Sequence, residues 1–322
     1  MSSFFSHHYG CVWLSIMAWC WLVLGAYTAQ AHTYKTPLSD IQWEVKGSAF
    51  NCTLSHNIPY YGDAVFYRRA GEKLHFYLDP KTARLETGKT LLQAKSPEWK
   101  RLNYTVDLGS YPVKRGERPV TLNAHRTERV LAELQQGMDV YFTRWPWYGG
   151  LDSAKVWLST VHFRKAYRDY QDCLVGLLPV NYDQIKRTAM EFRAGQDGLT
   201  ADEKRTLSNI AIYIKADPSV EYFFVDGHTD SRGDRKDNLE LSRKRAEEVT
   251  QYLVAEGVPA EKITTRWHGE RYPVASNQSA KGRKKNRRVT VRLERDLPQS
   301  VSAAAPSEAG NGALELEPKV AI

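Results

Sequence analysis

Val220-Glu221-Tyr222-Phe223-Phe224-Val225 runs into Asp226-Gly227-His228-Thr229-Asp230, and beyond a polar loop comes Leu241-Ser242-Arg243-Lys244-Arg245-Ala246. The first run is apolar, aromatic and β-branched, which predicts a strand over 220–225. The polar stretch from Gly227 to Asp237 predicts a loop. The next segment has helical spacing and predicts a helix from about Leu239 to Glu256, stopped by Gly257 with Pro259 beyond. Asn238 stands at the mouth of that helix. Working outward, Met190-Glu191-Phe192 is a short strand candidate. Thr200-Ala201-Asp202-Glu203 is a capping box opening a helix with Leu207, Ile210, Ala211 and Ile214 on one face, halted at Asp217-Pro218. Ile263 to Trp267 and Val289 to Leu293 supply two more strands. Helices and strands thus alternate over 181–295, which predicts an α+β sandwich with one sheet covered by two helices.

Arg245 stands out on geometry. At about 100° per residue, it falls about 40° from Val249, inside the arc that also holds Ser242, Ala246 and Leu253. Arg243, Lys244 and Glu247 point away. An inward guanidinium needs compensation, because an unpaired buried charge costs several kcal/mol. Its planar fork suits a carboxylate. The candidates are Asp230, in an internal salt bridge, or a ligand carboxylate. Asn238 and the loop amides at the helix N-terminus can also receive an anion.

Upstream the pattern is different. Residues 32–161 read as β-rich: Leu74 to Leu78, Leu102 to Leu108 and Val156 to Thr160 alternate, separated by Asp79-Pro80, Ser96-Pro97, Tyr111-Pro112 and Gly149-Gly150. One helix is predicted near Thr127 to Gln136. Many short strands predict a β-sandwich or open barrel. Trp145-Pro146-Trp147-Tyr148 reads as a loop over the end of the β-core, or as a docking patch. Residues 162–180 read as a connector, and 296–322, rich in Ala, Ser, Pro, Gly and Glu, as a disordered tail.

The first 31 residues contain no Lys, Arg, Asp or Glu, and an apolar block from Cys11 to Leu24 precedes Ala29-Gln30-Ala31. This predicts a secretory signal peptide over 1–31. An uncleaved membrane anchor and a lipid on Cys20 are the alternatives. Cleavage would leave Cys52 and Cys173, which an oxidising compartment favours as a disulfide over two free thiols. The net charge of +8 survives cleavage. Outside the cytoplasm it points to anionic envelope polymers, lipid headgroups or acidic protein faces rather than to chromosomal DNA.

Gly227-His228-Thr229-Asp230, Asn238, Leu241-Ser242 with Arg245-Ala246, Val254 to Ile263, Gly269-Glu270 with Pro273, and Asn286-Arg287-Arg288-Val289 together resemble the OmpA-like peptidoglycan-binding domain. The resemblance covers about 181–295 and implies a βαβαβ-type sheet that binds the diaminopimelate-containing stem peptide of the wall. By position it assigns the carboxylates of that stem to the Asp230 loop and Asn238, with Arg245 pairing one of them. It places Arg288 in the same groove with Arg287 beside it. Cys173-Leu174 and Leu177 to Ile185, joined to a β-rich domain with one cysteine, resemble the MotY family of T-ring proteins in sodium-driven flagellar motors. That resemblance implies a periplasmic ring component around the flagellar basal body, associated with cell wall and outer membrane. It further implies MotX as partner, an indirect link to the PomA/PomB stator, and a Cys52–Cys173 disulfide.

Three other function classes are open to these residues. An enzyme would need more than His228 and Asp230: no nucleophile motif accompanies them, and no H-E-x-x-H metal spacing occurs. No catalytic residue, metal ligand or cofactor is expected. The basic run Lys281 to Arg288 could neutralise phosphates, but it reads better as a solvated loop beside the wall-binding motif, so nucleic acid is not an expected partner. A general OmpA-like wall anchor with a non-flagellar partner is the alternative function.

Overall fold

The computed structural model describes residues 32–82, 85–101, 103–144 and 153–295. The leader with Cys11 and Cys20, Leu102, the Trp145 to Tyr148 stretch with the adjoining Gly149-Gly150, and the tail at 296–322 lie outside the described residues. Two compact units form. Of the described residues, one takes in 32–47, 52–68 and 73–174, and the other takes in 48–51, 69–72 and 175–295. No helix among the described residues is long and apolar enough to cross a membrane.

Among its described residues the first unit has ten strands in two sheets. One has the order β2 (Trp43–Gly47), β3 (Asn51–Ile58), β4 (Gly62–Arg69), β5 (His75–Pro80), β8 (Val120–Leu122). The other has the order β1 (Thr33–Tyr34), β10 (Ala154–Leu158), β9 (Asp139–Arg144), β6 (Gly88–Lys95), β7 (Thr105–Val113). The period-2 pattern of β3 buries Cys52, Leu54, His56 and Ile58 on one face. Phe76 of β5 stacks on Phe142 of β9 at 5.4 Å between ring centres, so the two sheets share a core. This is the predicted sandwich.

Helix α1 (Ala124–Gln135) closes one side of that core with Val130, Leu131 and Leu134. It starts three residues before the predicted Thr127, because the Asn123 side chain accepts from the Arg126 amide and caps it. The segment read as a connector is largely a second helix, α2 (Phe163–Val175), which buries Phe163, Ala166 and Tyr170. Cys173 near the end of α2 is bonded to Cys52 of β3.

In the second unit the sheet order is β11 (Arg187–Glu191), β14 (Arg288–Glu294), β12 (Tyr222–His228), β13 (Ile263–Trp267). Strands β12 and β13 are parallel, and β14 runs antiparallel to β12 and β11. Helix α3 (Tyr182–Ile185) is a single capped turn. Helices α4 (Ala201–Ala216) and α5 (Arg235–Ala255) share one core with the sheet through Leu207, Ile210, Ala246, Val249, Leu253, Phe223, Val225, Val289 and Val291. Each fully buried aliphatic or aromatic side chain there contributes roughly 1.5–3 kcal/mol. The capping box at Thr200 and Glu203 forms as predicted.

Three boundaries differ from the sequence reading. Strand β12 extends through His228, so Asp226-Gly227-His228 is strand rather than loop. Helix α5 begins at Arg235, capped by Asp234, which places Asn238 inside its first turn. The basic run is a helix, α6 (Ala280–Asn286), not a loop. Ser279 caps α6 through the Gly282 amide, and buried Asn286 ties its end to Val274 and Ala275. Its Lys281, Lys284 and Lys285 face solvent.

Gly227 lets β12 pass under α5. A Cβ at this position would stand 2.1 Å from the Ser242 carbonyl oxygen and 3.2 Å from the Ala246 Cβ. The nearer obstacle is backbone and cannot rotate away. Gly227→Ala is therefore expected to lift the helix from the sheet and destabilise the unit by about 1–3 kcal/mol. An unchanged urea midpoint for that variant would contradict so close an approach.

Candidate wall-binding site

The site forms where β12 and β14 end against the first half of α5. Asn238, Ser242, Arg245, Ala246, Val249 and Leu253 form the buried stripe of α5, so Arg245 points inward as its helical phase predicts. It is fully buried. Its Nε donates to the Gln196 carbonyl at 2.8 Å, and its Nη2 donates to the Arg193 carbonyl at 2.9 Å. Nη1 donates to the His228 carbonyl at 3.4 Å, and the fork lies 5.1 Å from the Phe192 ring centre. No carboxylate forms an ion pair with Arg245 among the described residues, so the internal Asp230–Arg245 salt bridge is not made. Burial lowers its pKa to about 10 and the Arg287 charge adds to this, while Asp230 and Asp197 oppose it. The group stays charged at neutral pH.

Asp230 pairs instead with Arg287. Its Oδ2 accepts from Arg287 Nη1 at 2.7 Å, and its Oδ1 accepts from the Arg232 amide at 3.0 Å. Arg287 also donates through Nε to the Phe192 carbonyl at 3.0 Å. Asn238 donates to Glu270 Oε2 at 2.9 Å. Ser242 accepts from the Gly269 amide at 3.0 Å, which binds the β13–α6 loop to α5. The buried Thr229 hydroxyl has no hydrogen-bond partner among the described residues. Neither Thr229 nor the Arg193 and Gln196 carbonyls were named as site groups from sequence.

Arg288 is not part of this cluster. It stands opposite His228 in the sheet, while Val289, next along the strand, faces the helices with Gly227. Successive strand residues point to opposite faces, so Arg288 lies on the face away from Arg245. There it donates to the Tyr272 and Asn286 carbonyls, and burial holds its pKa below the usual guanidinium range.

That second face carries its own polar group. Asp226 accepts two hydrogen bonds from Arg266, at 2.7 and 2.9 Å, and His268 Nε2 lies 2.8 Å from its Oδ1. His228 stacks on His268 at 4.9 Å, and its buried Nδ1 has no hydrogen-bond partner among the described residues. Burial, then the charge of Arg288, lowers the His228 pKa to about 4. A histidine in the unfolded chain titrates near 6.5. Between those values the unfolded chain takes a proton that the folded chain refuses, so stability falls as pH drops from about 6.5 to 4, by on the order of 3 kcal/mol. Asp226 does not mask this. Burial tends to raise its pKa, but Arg266 and His268 outweigh burial and hold it below the usual carboxylate range, so its contribution is lost only at lower pH. His228→Gln is expected to flatten the slope in urea midpoints between pH 7 and 4.5. A slope equal to that of the unchanged protein would refute this assignment.

With this geometry in place, similarity to known proteins becomes interpretable. The MotY N-terminal domain family matches residues 34–179, and the OmpA family matches residues 191–287. Along the chain, a stretch similar to the MotY N-terminal domain is followed by one similar to the OmpA family. It is 29% identical over 286 residues to the "Sodium-type flagellar protein MotY" of Vibrio parahaemolyticus, covering 85% of this chain and 94% of that protein. The outer-membrane lipoprotein YfiB of Pseudomonas aeruginosa is 39% identical over 95 residues, 30% of this chain and 56% of its own length. The peptidoglycan-binding protein ArfA of Mycobacterium tuberculosis is 39% identical over 99 residues, 30% of each chain. The MotY N-terminal match runs through α2 and Cys173, the part read from sequence as a connector.

Proposed function

We propose that this protein is a non-enzymatic, periplasmic structural component of a flagellar motor T ring that binds peptidoglycan through its second unit. Its first unit then recruits the partner that holds the stator, MotX and through it PomA/PomB, at the basal body. The observation that carries the wall-binding half is the fully buried Arg245 fork, held by three carbonyls with no carboxylate of its own, close enough to the Asp230–Arg287 pair to feel both charges. A guanidinium has five N–H donors, so the fork keeps donors for an incoming carboxylate. Asp230 supplies the opposite charge for the amine of a diamino acid, and Asn238 an amide at the same end of α5. The unsatisfied Thr229 hydroxyl is a further polar group for a ligand to meet. The MotY N-terminal match favours a motor component over a general wall anchor.

Co-sedimentation with isolated sacculi tests the site. Asp230→Asn and Arg287→Gln are expected to lower the bound fraction at least tenfold, whereas Arg288→Gln, on the other face, should change it little. Loss with Arg288→Gln and retention with Asp230→Asn would place the site on the wrong side of the sheet. Swimming speed and stator assembly in a deletion strain test the motor half.

A further inference from the structure

The outward face of the β1-β10-β9-β6-β7 sheet carries a cleft of about 430 Å³ that wall binding does not use. In β10 and β9, Trp157 stands opposite Tyr141, and in β9 and β6, Asp139 stands opposite Lys95. Lys155, two residues before Trp157, shares that face, while Val156, Leu158, Val140 and Phe142 fill the core behind it. Leu38 and Trp99 line the cleft and are 56% and 55% exposed.

The charge of the cleft is lopsided. Lys35, Lys95 and Lys155 line it, and none forms an ion pair among the described residues; Lys95 lies 5.7 Å from the Tyr141 ring centre. The acids are Glu98 and Asp139. Burial raises the Asp139 pKa, against the pull of the Thr160 amide, the Trp157 indole and Lys100. The Trp157 indole faces Asp139 and favours its charged form. Exposed apolar side chains such as Leu38 and Trp99 beside lysines without ion pairs mark a surface that something covers.

We infer that this cleft receives an extended acidic segment of a partner protein, with carboxylates on Lys35, Lys95 and Lys155 and an apolar side chain against Leu38, Trp99 and Tyr141. The assignment rests on the reading that the first unit is the partner-binding one. Charge complementarity selects an acidic occupant over a neutral one.

Calorimetry on the mature full-length protein tests this with a blocked hexapeptide of alternating Glu and Val, and with its Gln-for-Glu counterpart. The acidic peptide is expected to bind at least about tenfold more tightly than the neutral one, and more weakly as salt is raised. Lys95→Glu with Lys155→Glu should lower its affinity about tenfold or more, and Trp99→Ala should lower it in a salt-independent way. Equal binding of the two peptides, no response to the lysine changes, or no heat with millimolar acidic peptide would overturn the inference. So would binding of phosphatidylglycerol vesicles with both peptides silent. Sacculus sedimentation of the lysine variant should stay unchanged, so failure of the wall reading and failure of this one give different results.

Discussion

Arg245→Ala is expected to abolish sacculus binding and to cost the second unit about 3–5 kcal/mol of stability at once. Both losses have one source. The side chain is fully buried, and it is the hydrogen-bond partner of the Arg193, Gln196 and His228 carbonyls. Truncation leaves those acceptors facing a cavity, and each buried unsatisfied group carries its own desolvation penalty. The residue that would clamp a ligand carboxylate is thus also the pin that holds the 193–196 loop and the end of β12 against α5.

Urea midpoints and co-sedimentation must therefore be read together. Arg245→Lys keeps the charge but loses the fork, so it should recover part of the stability and little of the binding. Asp230→Asn should lose binding as well, at a smaller cost in midpoint than Arg245→Ala, because Arg287 keeps some exposure to water and its hydrogen bond to the Phe192 carbonyl. If Arg245→Ala sediments with sacculi like the unchanged protein, the carboxylate clamp is wrong. If it unfolds at the same urea concentration, the pinning role is wrong.

The sequence made the inward turn of Arg245 legible, because helical phase depends only on spacing from Val249. It did not reveal what Arg245 holds. Arg193 and Gln196 belong to an irregular stretch with no period to read, and their carbonyls are backbone groups that side-chain identity does not announce. The separation of Arg287 from Arg288 was harder to see. Arg287 caps the end of α6 and Arg288 opens β14, and a motif that names both does not show where helix gives way to strand.

Helix α6 was hidden for a different reason. It is polar and short, and its order comes from Ser279 and the buried Asn286 rather than from an apolar stripe. Helix α2 did carry its signal, Phe163, Ala166 and Tyr170 at helical spacing, but Arg, Lys and Asp between them gave the segment the look of a linker. In the first unit, strands were readable one at a time by alternation. The order β1-β10-β9-β6-β7 depends on pairings between strands distant in sequence, which alternation does not encode.

Removing the Cys52–Cys173 bond should be the largest single loss available in the first unit. The bond closes a separation of 121 residues, and the chain-entropy relation gives about 5 kcal/mol for a loop of that size. Cys52 is fully buried on β3, so a Cys52→Ala, Cys173→Ala pair isolates the cross-link better than serines, which would bury a hydroxyl. Helix α2 retains Phe163, Ala166 and Tyr170 in the core, and Trp43 still packs on Phe163 at 4.9 Å. Its first half is therefore anchored without the bond, and its last turn, where Cys173 sits, is not. Amide exchange should accelerate most over residues 171–175 and in β3 beside Cys52, with the urea midpoint falling in step. Reductant should lower the midpoint of the unchanged protein to near that of the double variant and leave the variant where it is. A variant as stable as the oxidised protein would mean that the α2 side chains alone hold the helix to the sheet, and that the disulfide restricts a chain already restricted by packing.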